Sequence, residues 1–390
     1  MKWSLGPTEG LLDVLGHPER HFPSIHVGGT NGKGSTCAFL AADLAARGFR
    51  VGLYTSPHLV SPTERIVVDG IPIPEDAFVQ WTETIAPHVE RLDASFFEAT
   101  TAIAFADFAA RGVDIAVVEV GLGGRLDATN VITPLVSVVT KIALEHTDYL
   151  GPDLASIARE KAGIAKPGVP FITGEADPAV LEVLRSEARR RGAKPIVTVN
   201  PSPFPHPPSR LGLRGPHQAH NALVARAALA ALPAPFGLPG KGIPGSFADA
   251  RIPGRFDVRG GWIFDVAHNP DGMAVLVAAL REHQPLRPLH ALVGIRNDKD
   301  WRPMLAQLAG EVDRVVLTVA PSVPEGQRWA LAELSGWTDE RVIGQPVVFE
   351  PDFARALDAA QEGAATTLVT GSFHTVGDAL AALPGFAPVG

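Results

Sequence analysis

The sequence predicts an α/β protein of two domains, with a mainly parallel sheet in the first and a smaller, doubly wound second domain. Short apolar runs alternate with longer helical patterns, which is typical of parallel strands covered by helices on both faces. The length of 390 residues exceeds what one ordinary core needs. A segment rich in proline and glycine at 233–255 interrupts the alternation, so we expect domains at 1–248 and 249–390.

The elements of the first domain follow from local patterns. Strands are predicted over the apolar runs 24–27, 50–56, 113–121, 135–142 and 169–174. Helices are predicted over 35–48, 96–112 and 217–232, and the first of them ends at Gly48. The stretch 198–216 carries many prolines, and we expect a loop or ribbon there.

After the linker the alternation of strand and helix begins again. Strands are predicted over 261–266, 289–295, 314–320 and 366–372. Helices are predicted over 272–283, 301–312 and 353–363. This order indicates a second, smaller α/β sheet.

The composition excludes some classes of function. The net charge is -8 and no run of Lys and Arg occurs, so we expect no nucleic-acid partner. Cys37 is the only cysteine, which excludes an intrachain disulfide and fits a reducing compartment. The N-terminal residues lack the apolar region of a signal peptide, and no apolar run is long enough to span a bilayer. We therefore expect a cytoplasmic protein with no membrane partner.

The stretch HVGGTNGKGST at 26–36 carries the strongest chemical signal, because four glycines and one lysine fall within seven residues. Glycines leave a tight loop free of side chains, so that backbone N–H groups can point at an anion. Lys33 adds a positive charge where a helix begins, and this combination suits a nucleoside triphosphate. Val27 and the inserted Gly34 depart from the usual phosphate-loop motif, and a glycine-rich turn without a ligand is the alternative. The predicted nucleotide-binding residues are Gly29, Thr30, Asn31, Gly32, Lys33, Gly34 and Ser35.

Acidic and polar residues follow several predicted strands, where open α/β sheets bind ligands. Glu119 ends a buried strand and suits Mg²⁺, although an ion pair with Arg125 is the alternative. Asp265 ends a strand in the second half, where capping of the next helix is the alternative. Arg255 lies at the linker, and its planar guanidinium suits phosphate oxygens.

The segment GTNGKGS resembles the loop of the Mur ligase superfamily, and its extra glycine points to the folylpolyglutamate synthase and dihydrofolate synthase branch. The resemblance covers almost the whole chain, from LGPTEG to GSFHTVGD. It implies a P-loop ATPase-like first domain and a Rossmann-like, Mur ligase-like second domain. It also implies a helix ahead of the Leu5–Gly6 segment, and we expect that helix to be missing or truncated here.

The resemblance further implies roles for single residues. Ser56, Glu119 and His146 would hold two Mg²⁺ ions. Lys161, in EKAGI, would be carbamylated by CO₂, whereas a surface lysine is the alternative. Asn221, with Arg255 and Asp265, would contact ATP across the cleft between the domains, and His268 and Ser372 would lie near the incoming glutamate. Lys33, Lys161 and His268 are the predicted catalytic residues.

The segments SFFE and LDA match the pteroate site of bifunctional bacterial members of this family. Phe96 and Phe97 would stack on the aromatic rings, and core phenylalanines are the alternative. The predicted substrate-binding residues are Ser95, Phe96, Phe97, Glu98, Leu126, Asp127, Ala128 and Ser372.

The predicted activity is ATP-dependent addition of L-glutamate to dihydropteroate and to reduced folates through an acyl phosphate, by a monomer. A folylpolyglutamate synthase alone, or another Mur-type amino-acid ligase, is the alternative. A cell-wall Mur ligase would need a UDP-sugar domain ahead of the loop, where only 27 residues precede Gly28. A P-loop kinase would not need the second domain, and a scaffold without activity would be expected to lose Glu119, His146 or Lys161.

Overall fold

The computed structural model describes residues 4–201, 211–238, 240, 242–329, 334 and 346–386. It contains two sheets, one of eight strands and one of six, and helices pack against both faces of each. The α/β class with two sheets is therefore confirmed.

The first sheet has the strand order β4-β3-β2-β5-β1-β6-β7-β8. All neighbouring pairs are parallel except β2–β3 and β3–β4, which form antiparallel pairs at one edge. Its strands are β1 (Ser24–Gly28), β2 (Val51–Tyr54), β3 (Ile66–Val68), β4 (Ile71–Pro72), β5 (Ile115–Glu119), β6 (Val136–Val139), β7 (Phe171–Thr173) and β8 (Ile196–Thr198).

The helices of this part cover the sheet because its strands are apolar on both sides. Ile25 and Val27 face the core beneath α2 and α8, whereas Ala116 and Val118 face the core beneath α4. The helices are α1 (Gly6–Val14), α2 (Lys33–Ala46), α3 (Glu75–Leu92), α4 (Phe96–Ala110), α5 (Thr147–Leu150), α6 (Leu154–Lys161), α7 (Pro178–Arg190) and α8 (His217–Ala231).

The second sheet has the order β13-β12-β11-β14-β10-β9, and only β9 runs antiparallel to its neighbour. Its strands are β9 (Asp257–Arg259), β10 (Trp262–Asp265), β11 (Leu289–Val293), β12 (Arg314–Leu317), β13 (Val347–Phe349) and β14 (Thr366–Thr370). Its helices are α9 (Pro270–His283), α10 (Trp301–Ala309), α11 (Phe353–Gln361) and α12 (Phe373–Ala382).

Every strand and helix predicted from the sequence is present, with ends displaced by a few residues. The antiparallel pair β3–β4 is not predicted, although Asp69 and Gly70 between them have φ of 55° and 79°, as a tight hairpin requires. Helix α1 begins at the Leu5–Gly6 segment and buries Leu11 and Leu12 against α3 and α4. Of the proline-rich stretch, residues 202–210 lie outside the described residues.

The two sheets are joined by a segment that packs with the first of them. Phe247 and Ala250 belong to the core beneath α2 and α8, and the second sheet begins at Asp257. The division at 248/249 stays a prediction. Within the described ranges, no helix has the length and apolar character needed to cross a bilayer.

Candidate active site

A cleft of about 780 Å³ lies where the carboxyl ends of strands from both sheets meet. The first sheet contributes the loop after β1 and the ends of β2, β5 and β6, and the start of α8 lies beside them. The second sheet contributes the ends of β10 and β14 with the starts of α9 and α12. This is the position where open α/β sheets bind ligands.

The glycine-rich loop after β1 has a conformation that only glycine allows at two positions. Gly29 has φ of 132° and lies against Thr140, so that a side chain there would overlap the threonine hydroxyl. Gly32 has φ of 89°, and a Cβ there would lie 2.6 Å from the Asn221 side-chain oxygen. The conformation of the loop therefore depends on close contacts with Thr140 and Asn221, which are more than 100 positions away along the chain.

The start of α2 is open to an anion. Among the residues that the structure describes, no side chain caps this helix at its N-terminus, so no capping side chain accepts from its first backbone N–H groups. The positive end of the helix dipole lies at the same place. Lys33 reaches back to donate to the Thr30 carbonyl at 3.1 Å. The arrangement suits the phosphates of a nucleotide.

Glu119 is buried at the end of β5 with little compensation for its charge. Its carboxylate accepts from the Ser56 backbone N–H at 3.3 Å, and the Lys33 ammonium lies 4.0 Å away. Burial raises the pKa of Glu119, and the charges of Lys33 and Arg255 partly offset that rise. The alternative pairing with Arg125 is wrong, because Arg125 pairs with Glu160 at 3.0 Å.

His146 and His268 approach the cleft from opposite domains, and Glu145 lies between them. The Glu145 carboxylate is 2.9 Å from His268 Nε2 and 3.5 Å from His146 Nε2. His268 Nδ1 lies 2.9 Å from the Val266 carbonyl. Burial lowers the pKa of His146 to about 4, so its imidazole is neutral at pH 7. The sequence does not predict a role for Glu145. The only feature that could have indicated one is its position after β6, next to His146.

The predicted metal-binding residues Ser56, Glu119 and His146 all line the cleft. Across the described ranges, no three His, Cys, Asp or Glu side chains form a cluster that could hold a metal ion. Hydroxyl and carboxylate oxygens with a neutral imidazole nevertheless suit Mg²⁺ or Mn²⁺, and the poorly compensated Glu119 carboxylate fits a cation at this edge.

Lys161 ends α6 and is buried, with 3% of its surface exposed. Its Nζ donates to the Gly29 carbonyl at 2.8 Å. Burial, with the nearby charge of Lys33, lowers the pKa of Lys161 to about 7. The alternative interpretation as a surface lysine is wrong, and a large fraction of this amine is neutral at pH 7.

Arg255 and Asp265 line the cleft from the second domain. The Arg255 guanidinium lies 5.0 Å from the centre of the Phe373 ring, and burial lowers its pKa. Asp265 accepts from the backbone N–H groups of Phe256 at 2.8 Å and Ala267 at 2.9 Å. It does not cap the helix that follows, since Asn269 accepts from the Gly272 N–H at 2.7 Å and takes that role.

Asn221 and Ser372 lie in the cleft with their side chains already engaged. Asn221 donates to Gln218 at 3.0 Å, and Gln218 donates to the Ser35 hydroxyl at 3.2 Å. Ser372 is the N-cap of α12 and accepts from the Thr375 N–H at 3.1 Å. Gln218 thus connects α8 to the phosphate-binding loop, which the sequence does not predict.

The sequence predicts that the segments 95–98 and 126–128 bind the aromatic rings of the substrate. None of their residues is among the described residues that line the cleft. Ser95 and Glu98 form a capping box at the start of α4. Asp127 is buried and accepts from Leu122 N at 2.8 Å and Thr129 N at 3.0 Å.

Phe97 and Phe96 differ in their surroundings. Phe97 is half-buried at the edge of the core, where it packs on Tyr54 and directly against Gly121. Phe96 is 56% exposed, so the core alternative is wrong for it. Leu126 is half-buried and Ala128 is buried.

Several polar contacts join the domains directly at the phosphate-binding loop. Asn31 donates to the Asp271 carboxylate at 2.7 Å, and Lys141 forms an ion pair with the same carboxylate. Asp271 lies in the first turn of α9, so the loop and the second domain are tied to each other. The sequence predicts neither Lys141 nor Asp271.

Comparisons with known proteins agree with this geometry. Residues 254–373 match the family model described as Mur ligase, glutamate ligase domain. The chain is 36% identical to the dihydrofolate synthase/folylpolyglutamate synthase of Mycobacterium tuberculosis, over 96% of this chain and 89% of that protein.

Solved structures show the same similarity. The Mycobacterium tuberculosis folylpolyglutamate synthase complexed with ADP superposes with a TM-score of 0.88 at 35% identity, covering 100% of this chain and 96% of that one. A bifunctional folylpolyglutamate synthase/dihydrofolate synthase with Mn, AMPPNP and L-glutamate bound gives a TM-score of 0.82 at 32% identity, covering 98% and 94% of the two chains.

Proposed function

Because this chain belongs to the dihydrofolate synthase/folylpolyglutamate synthase family, we propose that it adds L-glutamate both to dihydropteroate and to reduced folates, and that it does so at one site. It is an ATP-dependent ligase that joins a carboxylate to an amine. The observation that carries the proposal is the cleft itself, where the phosphate-binding loop and Glu119 face Arg255 and His268 of the second domain.

The first step makes the carboxylate reactive. A carboxylate is a poor acyl donor to an amine at neutral pH. An oxygen of the substrate carboxylate attacks the γ-phosphorus of ATP, the bond to ADP breaks, and an acyl phosphate forms. Lys33 and the open start of α2 lie where negative charge on the transferred phosphoryl group needs stabilisation.

The second step forms the amide. The amine of L-glutamate attacks the acyl carbon, its proton passes to solvent, the bond from the acyl carbon to the phosphate oxygen breaks, and inorganic phosphate leaves. His268 is held by Glu145 and the Val266 carbonyl, so its ring has a fixed orientation near the amine that we expect to enter here. Exclusion of water by the two domains would protect the acyl phosphate from hydrolysis.

Two divalent cations and a carbamate complete the proposed site. Mg²⁺ would be held by Ser56, Glu119 and His146. When bound, it neutralises negative charge on the phosphates. The neutral Lys161 amine would add to CO₂ with loss of a proton, giving an anion beside the phosphate-binding loop. Asn221, Arg255 and Asp265 would contact ATP.

Ser372 would lie near glutamate, and the segments at 95–98 and 126–128 would form the side of the pterin pocket. We also propose that the protein acts as a monomer in the cytoplasm, with which its single, buried Cys37 agrees.

The test is ATP-dependent incorporation of L-glutamate, with dihydropteroate and tetrahydrofolate supplied separately and then together. We expect both to be extended and each to inhibit turnover of the other, because they share one site. Lys33→Ala is the control, and it should abolish turnover of both while the fold remains. Extension of tetrahydrofolate without any turnover of dihydropteroate would reduce the activity to that of a folylpolyglutamate synthase.

A further inference from the structure

Arg65 is a buried cation that the activity described above does not use. It immediately precedes β3, is 8% exposed, and lines the cleft, as does His58. Its Nε donates to His58 Nδ1 at 2.8 Å, and its guanidinium carbon lies 5.3 Å from the centre of the Phe96 ring. The guanidinium therefore contacts an imidazole through a hydrogen bond and lies close to an aromatic ring.

The charge of Arg65 has no carboxylate partner within ion-pair distance in the described part of the chain. Glu64, its neighbour, instead accepts from the backbone N–H groups of residues 59–61. Burial lowers the pKa of Arg65, and the Tyr54 side chain, with the more distant carboxylates of Glu119 and Glu64, partly offsets this. An unpaired buried charge is costly, so its presence at a cleft points to a ligand that supplies the opposite charge.

The chemistry of a guanidinium narrows the class of ligand. With Nε bound to His58, the rest of the planar fork is suited to a two-oxygen anion such as a carboxylate. The phosphates have their own site at Lys33 and the start of α2. Arg65 lies instead beside Phe96, so an aromatic ring that carries a carboxylate fits this place.

We propose that Arg65 binds the carboxylate of the acyl substrate, the group that becomes the acyl phosphate, and that His58 positions the Arg65 fork. This rests on the proposed ligase function. The assignment places the reacting carboxylate in the same cleft as Lys33 and Glu119, where the γ-phosphate is expected.

The experiment compares dihydropteroate with its carboxamide, which has the same shape and no charge, as ligands of the wild type and of Arg65→Gln. Equilibrium dissociation constants are measured for both ligands and for ATP, and Michaelis constants for L-glutamate. We expect Arg65→Gln to weaken dihydropteroate binding about 30-fold, which corresponds to about 2 kcal/mol. Binding of the carboxamide and of ATP should change less than threefold.

Two further variants keep the test decisive. Arg65→Lys keeps the charge without the fork and should show an intermediate loss, and His58→Gln should weaken dihydropteroate binding in the same direction by a smaller factor. Arg189→Gln, which removes an exposed arginine on α7, is the matched control and should bind both ligands like the wild type.

Three outcomes would overturn the proposal. Equal weakening of dihydropteroate and carboxamide by Arg65→Gln would make Arg65 a support for the pocket's shape. A rise confined to the Michaelis constant of L-glutamate would assign Arg65 to the other substrate, and unchanged binding would remove it from the site. If the wild type bound dihydropteroate but ligated no glutamate, the proposed function would fail while the binding comparison would still decide the role of Arg65.

Discussion

Glu119→Gln should lower activity and raise stability at the same time, because Glu119 is a buried carboxylate whose charge the fold compensates poorly. Its oxygens have one long hydrogen bond, 3.3 Å from Ser56 N, and one ammonium group, Lys33 Nζ, at 4.0 Å. The amide of glutamine keeps the shape and removes the charge. A structural acid would show the opposite effect on stability.

The expected size follows from these distances. An ammonium at 4.0 Å attracts the carboxylate by about 4 kcal/mol at an effective dielectric constant near 20. Removing a carboxylate from water costs several kcal/mol, so the two contributions nearly cancel and leave a small penalty. We expect Glu119→Gln to raise the free energy of unfolding by about 1 kcal/mol without metal at pH 7. Turnover should fall by at least ~10²-fold, about 2.7 kcal/mol of barrier.

The pH dependence has a definite sign. The pKa of Glu119 in the folded chain lies above its ordinary value of 4.5, because burial outweighs the charges of Lys33, Arg255 and Arg65 and the hydrogen bond from Ser56 N–H. Between pH 4.5 and the folded pKa, the folded state binds more protons than the unfolded state, so wild-type stability falls as the pH rises. The advantage of the glutamine variant should therefore be absent below pH 4.5 and complete above the folded pKa.

The assay is denaturant unfolding of both proteins in chelator across this pH range, followed by ligase activity with Mg²⁺. Glu175→Gln is the contrasting control, since buried Glu175 accepts from the N–H groups of Ile142, Ala176 and Asp177 and should lose stability when neutralised. Adding Mg²⁺ and ATP should stabilise the wild type more than Glu119→Gln. A variant with wild-type turnover, or one clearly less stable than the wild type, would refute the reasoning.

Lys161→Ala should abolish ligation and recover part of it when short carboxylates are added, and isotopically labelled CO₂ should give a carbamate signal in the wild type only; an active alanine variant would contradict this. Phe97→Ala should raise the Michaelis constant for dihydropteroate more than that for tetrahydrofolate, since the smaller substrate relies more on its rings, and equal rises would argue against a ring contact. Gly29→Ala should destroy ATP binding, because its side chain would overlap Thr140, whereas Gly16→Ala, with φ of 77° and open space around it, should cost only about 1 kcal/mol of stability.

The local patterns of the sequence predict most of the fold. Apolar runs and helical periods depend on neighbouring residues, and the strands around Ile25 and Val117 are buried on both faces as their continuous apolar character predicts. Strand-end acids such as Glu119 are also predictable, because parallel strands bring their carboxyl ends to one edge. The hairpin at Asp69–Gly70 has a local signal as well, and its short flanking strands conceal it.

Residues whose roles depend on distant partners are not predictable in this way. Lys141 and Asp271 are 130 positions apart, and no local pattern marks either as a contact between domains. Glu145 acquires its role from His268, which lies between β10 and α9 of the other domain. A local pattern can also compete with a functional one, because Ser95 followed three positions later by glutamate is the sequence of a helix capping box, and the structure shows that use.

The cleft is positively charged although the chain as a whole is negatively charged. This positive charge affects the stability of the carbamate that we propose on Lys161. The chain carries -8 overall, yet in its described part seven Lys and Arg side chains, Lys33 and Lys161 among them, line the cleft against five Asp and Glu side chains. That excess suits ATP and carboxylate substrates, but it also sets Lys33 and Lys161 against each other, and their repulsion helps to lower the pKa of Lys161. The proposed carbamylation of Lys161 would replace this repulsion with attraction, since it would put an anion near the Lys33 ammonium. The carbamate should therefore be most stable when the loop after β1 is in place, because the Gly29 carbonyl holds the end of the Lys161 side chain at that loop.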